Sequence, residues 1–97
     1  MIISFRDRLT EDIFHGLSTR RVTRLQPSLV RATQRKLDMV NAAHQLLDLR
    51  SPPGNRLEAL RGDLEGFHSI RVNDQWRLIF IWRDGGAESV QLIDYHR

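Results

Sequence analysis

The sequence contains no cysteine, which excludes disulfides, thiol nucleophiles and cysteine-bound zinc. It has no run of eighteen apolar residues, so no membrane-spanning helix is expected. The opening "MIISFRDRLTED" meets charge after five residues and lacks the apolar stretch of a secretory leader. A reducing cytoplasm is the expected compartment. The histidines, His15, His44, His68 and His96, show no HExxH or paired spacing, and no carboxylate cluster forms a calcium loop. No metal site is therefore predicted. No glycine-rich phosphate loop precedes a helix, since "GNRLEALRG" has the wrong spacing for either nucleotide fingerprint. Ser28, Ser51, Ser69 and Ser89 lack the surroundings of a nucleophile elbow. Most familiar enzyme classes are disfavoured, and no cofactor is expected.

What is present is arginine. Of fifteen basic residues fourteen are arginine, against twelve acids. Residues 1–50 hold nine basic and five acidic side chains, whereas residues 51–97 hold six and seven. Guanidinium forks bind phosphates and carboxylates in two-point fashion and stack on bases. A basic first half therefore points to an anionic partner such as nucleic acid. The length, 97 residues, allows a single core and a single domain, residues 1–97.

Along the chain, "IISF" (2–5) reads as a short first strand. A short helix is expected through "LTEDIFHGL", capped by Thr10, with Glu11 and Asp12 in its first turn and Gly16 near its end. "STRRVTRLQP" reads as basic and irregular. Pro27 suits a first helical position. From there Leu29, Val30, Leu37, Val40, Ala43 and Leu47 recur at spacings near three, four and seven, predicting one amphipathic helix to about Asp48. "RSPPGN" stops it. Beyond lie strands. "RLEAL" is short, and "FHSIRV" alternates His68, Ile70 and Val72 with Phe67, Ser69 and Arg71. A tight turn at Asn73–Asp74 leads to "QWRLIFIW", with Trp76, Leu78, Phe80 and Trp82 opposed to Arg77, Ile79 and Ile81. "RDGGAE" turns again, and "SVQLIDYH" closes the sheet. Helices first and strands afterwards predict an α+β domain, with an antiparallel sheet made of an N-terminal strand plus a four-strand C-terminal meander and two N-terminal helices packed on it.

The residues left for chemistry are Glu58, Arg61, Arg77, Asp94, Tyr95 and His96, all in the C-terminal sheet. Metal-free RNA cleavage needs a base for the ribose 2′-hydroxyl, a cation for the phosphorane and an acid for the departing 5′-oxygen. Histidine serves as acid or base near neutrality, glutamate as base and arginine as clamp. Tyrosine donates a hydrogen bond or stacks on a base. Each has a duller reading: Arg77 as the partner of Asp94 or Glu58, His96 as a frayed end, and Trp76 and Trp82 as core. Arg20, Arg21 and Arg24, with Arg31, Arg35 and Lys36 on the long helix, are candidates for contact with RNA or the ribosome, the alternative being a solvated face.

These stretches carry a pattern. "RLEALRGDLEGFHSIRVNDQWRLIFIW" followed by "DG" and "VQLIDYH" resembles the HigB toxins of the RelE/ParE toxin–antitoxin superfamily, and "ISFRD" and the helix ending before "PPGNRLEAL" extend the likeness over nearly the whole chain. The resemblance implies a RelE-like, microbial RNase-like fold and a ribosome-dependent mRNA endonuclease. It implies neutralisation by a cognate helix-turn-helix antitoxin of the HigA type, which alone would link the toxin to operator DNA. Asp94, Tyr95 and His96 match the family's C-terminal catalytic cluster, Arg61 the basic residue of its L-K-G-D segment and Arg77 the arginine of N-W-R. Glu58 departs, standing where the pattern has a histidine. Either Glu58 takes the 2′-proton while His96 protonates the leaving group, or Glu58 orients His96. Rival readings are the gyrase-inhibiting branch of the superfamily and a module that binds RNA or antitoxin after losing catalysis.

Overall fold

The computed structural model describes residues 1–95; His96 and Arg97 lie outside them. Helix α1 (Arg8–Phe14) starts from Asp7, whose extended backbone and carboxylate, accepting the Thr10 amide at 2.9 Å, make it the cap. Thr10, expected there, is instead fully buried, and its hydroxyl accepts the Leu92 amide at 2.8 Å. The hydroxyl serves better as a tie from helix to sheet than as a solvent-facing cap. The segment read as irregular contains one helical turn, α2 (Arg20–Thr23). It is held to α1 by Asp12, only 5% exposed, which accepts from Thr19 Oγ1 at 2.9 Å and from Arg21 Nη1 at 3.2 Å.

Helix α3 (Pro27–Ala42) begins with Pro27 and buries Leu29, Thr33, Leu37 and Val40, one stripe at spacings of four and three. It stops before the expected Asp48. Ala43 is extended, and the Asp48 carboxylate accepts the His44 and Gln45 amides at 2.9 and 3.1 Å, starting a separate 3₁₀ turn over Leu46–Arg50. Leu47, expected on the apolar stripe, is accordingly 58% exposed.

The sheet has four antiparallel strands in chain order, β1 (Glu58–Ala59), β2 (His68–Arg71), β3 (Trp76–Arg83) and β4 (Gly86–Asp94). Between β2 and β3 the chain needs more than the expected two-residue turn: the Asn73 side chain accepts from both the Gln75 and Trp76 amides at 2.8 Å to close it. The β3–β4 turn is the two-residue kind. Asp84 and Gly85 both take positive φ (53° and 78°), the twist that tight hairpins require. One face of the sheet meets the helices. Ile13, Leu37, Val40, Ile70, Leu78, Phe80 and Val90 are fully buried there, and truncating one as large as Phe80 to alanine costs about 3–5 kcal/mol. Trp76 and Trp82 pack against this core.

A bulge sets the orientation of everything after it. Ile81 faces Glu88, but Ile79 faces Gln91, so Ser89 and Val90 together stand opposite Phe80. Ser89 takes φ 55°. The extra residue moves the buried positions of β4 from Ala87 to Val90 and Leu92, and Gln91, Ile93 and Tyr95 turn to the other face. The N-terminal segment runs parallel along β4, bridging at Ile2 with Ala87 and at Phe5 with Val90. It covers the sheet edge as expected but is not a continuous strand, because the kinked Ser89 amide donates to Ser4 Oγ (2.9 Å) instead of the backbone ladder.

Candidate active site

On the face away from the helices, β3 carries Arg77, followed on the same side by Ile79 and Ile81. Only 11% of its side chain is exposed. Its Nη1 donates to Ser69 Oγ on β2 at 2.8 Å and to the Arg56 carbonyl at 3.4 Å, and lies 3.0 Å from Glu58 Oε1. Glu58 pairs across the strands with Ser69, which explains how a two-residue strand places a carboxylate above the guanidinium. The Glu58 side chain is 49% exposed, so one edge of the carboxylate is tethered by charge while the rest faces solvent. The Tyr95 ring covers the Arg77 guanidinium at 5.0 Å, a cation–π contact that the bulge in β4 makes possible. The Tyr95 backbone is pinned by its amide donating to the Gln75 carbonyl at 2.6 Å.

Glu58, Ala59, Leu60, Arg61, Leu64 and Tyr95 line an open cleft of about 340 Å³, and two of these residues, Glu58 and Tyr95, contact Arg77. Of the residues singled out from sequence, the structure thus gathers Glu58, Arg61, Arg77 and Tyr95. Asp94 faces the other way. It stands opposite Trp76 on the helix-side face and accepts from Gln75 Nε2 at 3.0 Å. His96 lies outside the described residues. Among the described residues no three His, Asp or Glu side chains converge as metal ligands would.

The basic residues divide. Arg20, Arg24, Arg31 and Arg35 are exposed. Arg21 is engaged with Asp12. Lys36 directs its amine inward to Asn55 Oδ1 at 2.6 Å. Burial, then the nearby Arg35 and Arg71 guanidiniums, push the Lys36 ammonium below the ordinary lysine value. Arg71 stands across from Arg77 on β2 and pairs with Asp74.

Sequence reasoning missed Ser69 and Asn55. The signal for Ser69 was its place between Phe67 and Arg71 on the Arg77 side of "FHSIRV", where a small hydroxyl is the only neutral hydrogen-bonding group. Nothing in "PPGN" distinguishes Asn55, which is fully buried, from a turn residue.

Residues 3–96 match the family described as "RelE-like toxin of type II toxin-antitoxin system HigB". The chain is 43% identical over 97 residues to Toxin HigB-1 of Vibrio cholerae serotype O1, covering 100% of this chain and 99% of that one. It is 33% identical over 66 residues to Endoribonuclease HigB of Proteus vulgaris, covering 62% of this chain and 72% of the relative. Among solved structures, the heterotetrameric YoeB–YefM toxin–antitoxin complex from Staphylococcus aureus superposes with a TM-score of 0.61 at 16% identity, covering 100% of this chain and 99% of that chain, a likeness of fold. The cleft beside the sheet-borne Arg77 therefore sits on a RelE-like α+β frame, and the chain belongs to the HigB-like toxins of type II toxin–antitoxin systems.

Proposed function

We propose that this toxin is an mRNA endonuclease that cuts translated message in the ribosomal A site by metal-free acid–base chemistry in the cytoplasm. The observation that carries the reading is one open cleft lined by Glu58, Arg61 and Tyr95, with Arg77 in contact with the first and last of them. Similarity to a relative named Endoribonuclease HigB, from Proteus vulgaris, supports it. Arg77, fixed by Ser69 beneath the ring of Tyr95, holds the scissile phosphate together with Arg61 and stabilises charge as it builds on the equatorial oxygens. Glu58 accepts the 2′-hydroxyl proton, and the 2′-oxygen attacks phosphorus to form a 2′,3′-cyclic phosphate. His96 delivers a proton to the departing 5′-oxygen. Tyr95 keeps the guanidinium in place and offers its ring to a neighbouring base, while Asp94 anchors the strand end through Gln75. The ribosome supplies the contorted message, so few groups are needed on the toxin. Exposed Arg20, Arg24, Arg31 and Arg35 touch ribosomal RNA. A HigA-like helix-turn-helix antitoxin neutralises the toxin and links it to operator DNA.

The test is mapping of mRNA cut sites after brief induction of wild type, His96→Ala and Glu58→Ala, with growth followed in parallel. Codon-phased cuts that vanish in both variants are expected. Growth arrest that persists in His96→Ala with intact mRNA would rule out nuclease chemistry and favour a binding-type toxin. Efficient degradation of free RNA by the purified protein would overturn ribosome dependence.

A further inference from the structure

Asn55 is 0% exposed, unusual for an amide in a Pro–Gly loop. Its Nδ2 donates to the carbonyls of Leu49 (3.2 Å) and Ser51 (3.3 Å), and its Oδ1 accepts from Lys36 Nζ (2.6 Å). Both amide hydrogens and the oxygen are thereby engaged. The next residue, Arg56, adopts the left-handed conformation (φ 48°, ψ 55°), and its carbonyl accepts from Arg77 Nη1. Two residues further on, Glu58 enters β1. That strand has only two residues, paired as Glu58 with Ser69 and Ala59 with His68, too few ladder bonds to fix their own register. The amine of Lys36 stands near the Arg35 and Arg71 guanidiniums, a place where a cation is disfavoured unless something anchors it.

We propose that Lys36 and Asn55 form a latch whose task is to position Arg77 and Glu58: the lysine on α3 clamps the buried asparagine, and the asparagine sets where the Arg56 carbonyl and the Glu58 carboxylate meet the guanidinium. Lys36 is then a positioning residue rather than an RNA contact. The inference rests on the ribonuclease reading for its effect on rate, but not for its effect on geometry.

Two measurements separate these. Purified toxin is assayed on programmed ribosomes for its saturating cleavage rate and its half-saturating ribosome concentration, and the Arg77 guanidinium NMR resonance is read in toxin without ribosomes. Lys36→Met, folded by circular dichroism, is expected to lower the saturating rate roughly 10- to 100-fold, the effect of misplacing a reacting group by about 1 Å. Half-saturation should stay near wild type, and the Arg77 resonance should move. Lys36→Gln, polar but too short to reach Asn55, is expected to behave alike and serves where Lys36→Met does not fold. Lys36→Arg should recover most of the rate and the native resonance. A folded Lys36→Met or Lys36→Gln with unaltered rate and resonance overturns the latch. So does a raised half-saturation at full rate with a shallower salt dependence, the mark of a lost phosphate contact. If wild type leaves ribosome-bound message intact, the ribonuclease reading fails while the Arg77 resonance still decides the latch.

Discussion

Arg77 has a neutral partner and a charged one on the same nitrogen, and the structure ranks them against intuition. The Ser69 hydroxyl is fully buried and 2.8 Å away, whereas the Glu58 carboxylate, at 3.0 Å, is half exposed. A buried hydrogen bond to a charged group contributes about 1.5–3 kcal/mol. An ion pair open to water contributes about 0.2–1 kcal/mol, because solvent screens it and its side chains must be ordered. Double-mutant cycles from Arg77→Ala with Ser69→Ala, and from Arg77→Ala with Glu58→Ala, should therefore give a coupling energy for the serine that exceeds that for the glutamate by about 1 kcal/mol or more. Arg77→Ala alone leaves the Ser69 hydroxyl without its donor and removes the Tyr95 contact, together about 2–4 kcal/mol. For a domain of this size that lowers Tm by roughly 10–25 °C. Urea unfolding followed by tryptophan fluorescence reads all the energies in one assay. Equal couplings, or a larger one for Glu58, would refute the argument that burial rather than charge holds Arg77.

Glu58→Gln should leave stability within about 1 kcal/mol of wild type but reduce ribosome-dependent cleavage roughly 10²- to 10⁴-fold; an undiminished rate would remove Glu58 from the role of base. Ser89→Gly should be tolerated at its φ of 55°, whereas Ser89→Val should destabilise by about 1–3 kcal/mol because a β-branched residue resists that conformation, as read by thermal unfolding. The Asp48 carboxyl is held below its ordinary 3.8 by the Gln45 amide and then by that of His44. Its folded-state value is thus depressed, so its contribution to stability is present above 3.8 and is lost as pH falls through the folded value. Wild type should lose more stability than Asp48→Asn over that acid range, and parallel acid-unfolding curves for the two would contradict the cap.

Much of this was legible in the residues because the signals are local. Alternation in "QWRLIFIW" gave the two faces of β3, Asp84–Gly85 gave the hairpin, and the segments around Glu58, Arg61 and Arg77 carried the family pattern to a place where Glu58 and Arg61 line one cleft and Arg77 touches Glu58. The end of α3 was not legible. Its apolar period continues through Leu47, while the break depends on one carboxylate, Asp48, capturing two amides. Thr10 looked like a cap because its preference for a helix start is local, whereas its actual partner, Leu92, is 82 residues away. The same distance problem hid Asn55 and the inward turn of Lys36. A basic residue beside a helix stripe reads as solvated until the loop it clamps is folded beneath it.

The extra residue at Ser89 is to side chains what a frameshift is to codons. Every position after it is reassigned from one face of the sheet to the other while its identity stays unchanged. Pairing the same residues regularly, without the bulge, would swap Tyr95 and Asp94, turning the acid to the Arg77 face and the phenol to the helix side, whereas deleting Ser89 along with the bulge would leave both where they are. The chemistry of this strand end is therefore written in how the strand is paired as much as in its composition. A family built on this frame can exchange the groups that face its substrate by gaining or losing a bulge at constant chain length, with no catalytic residue mutated.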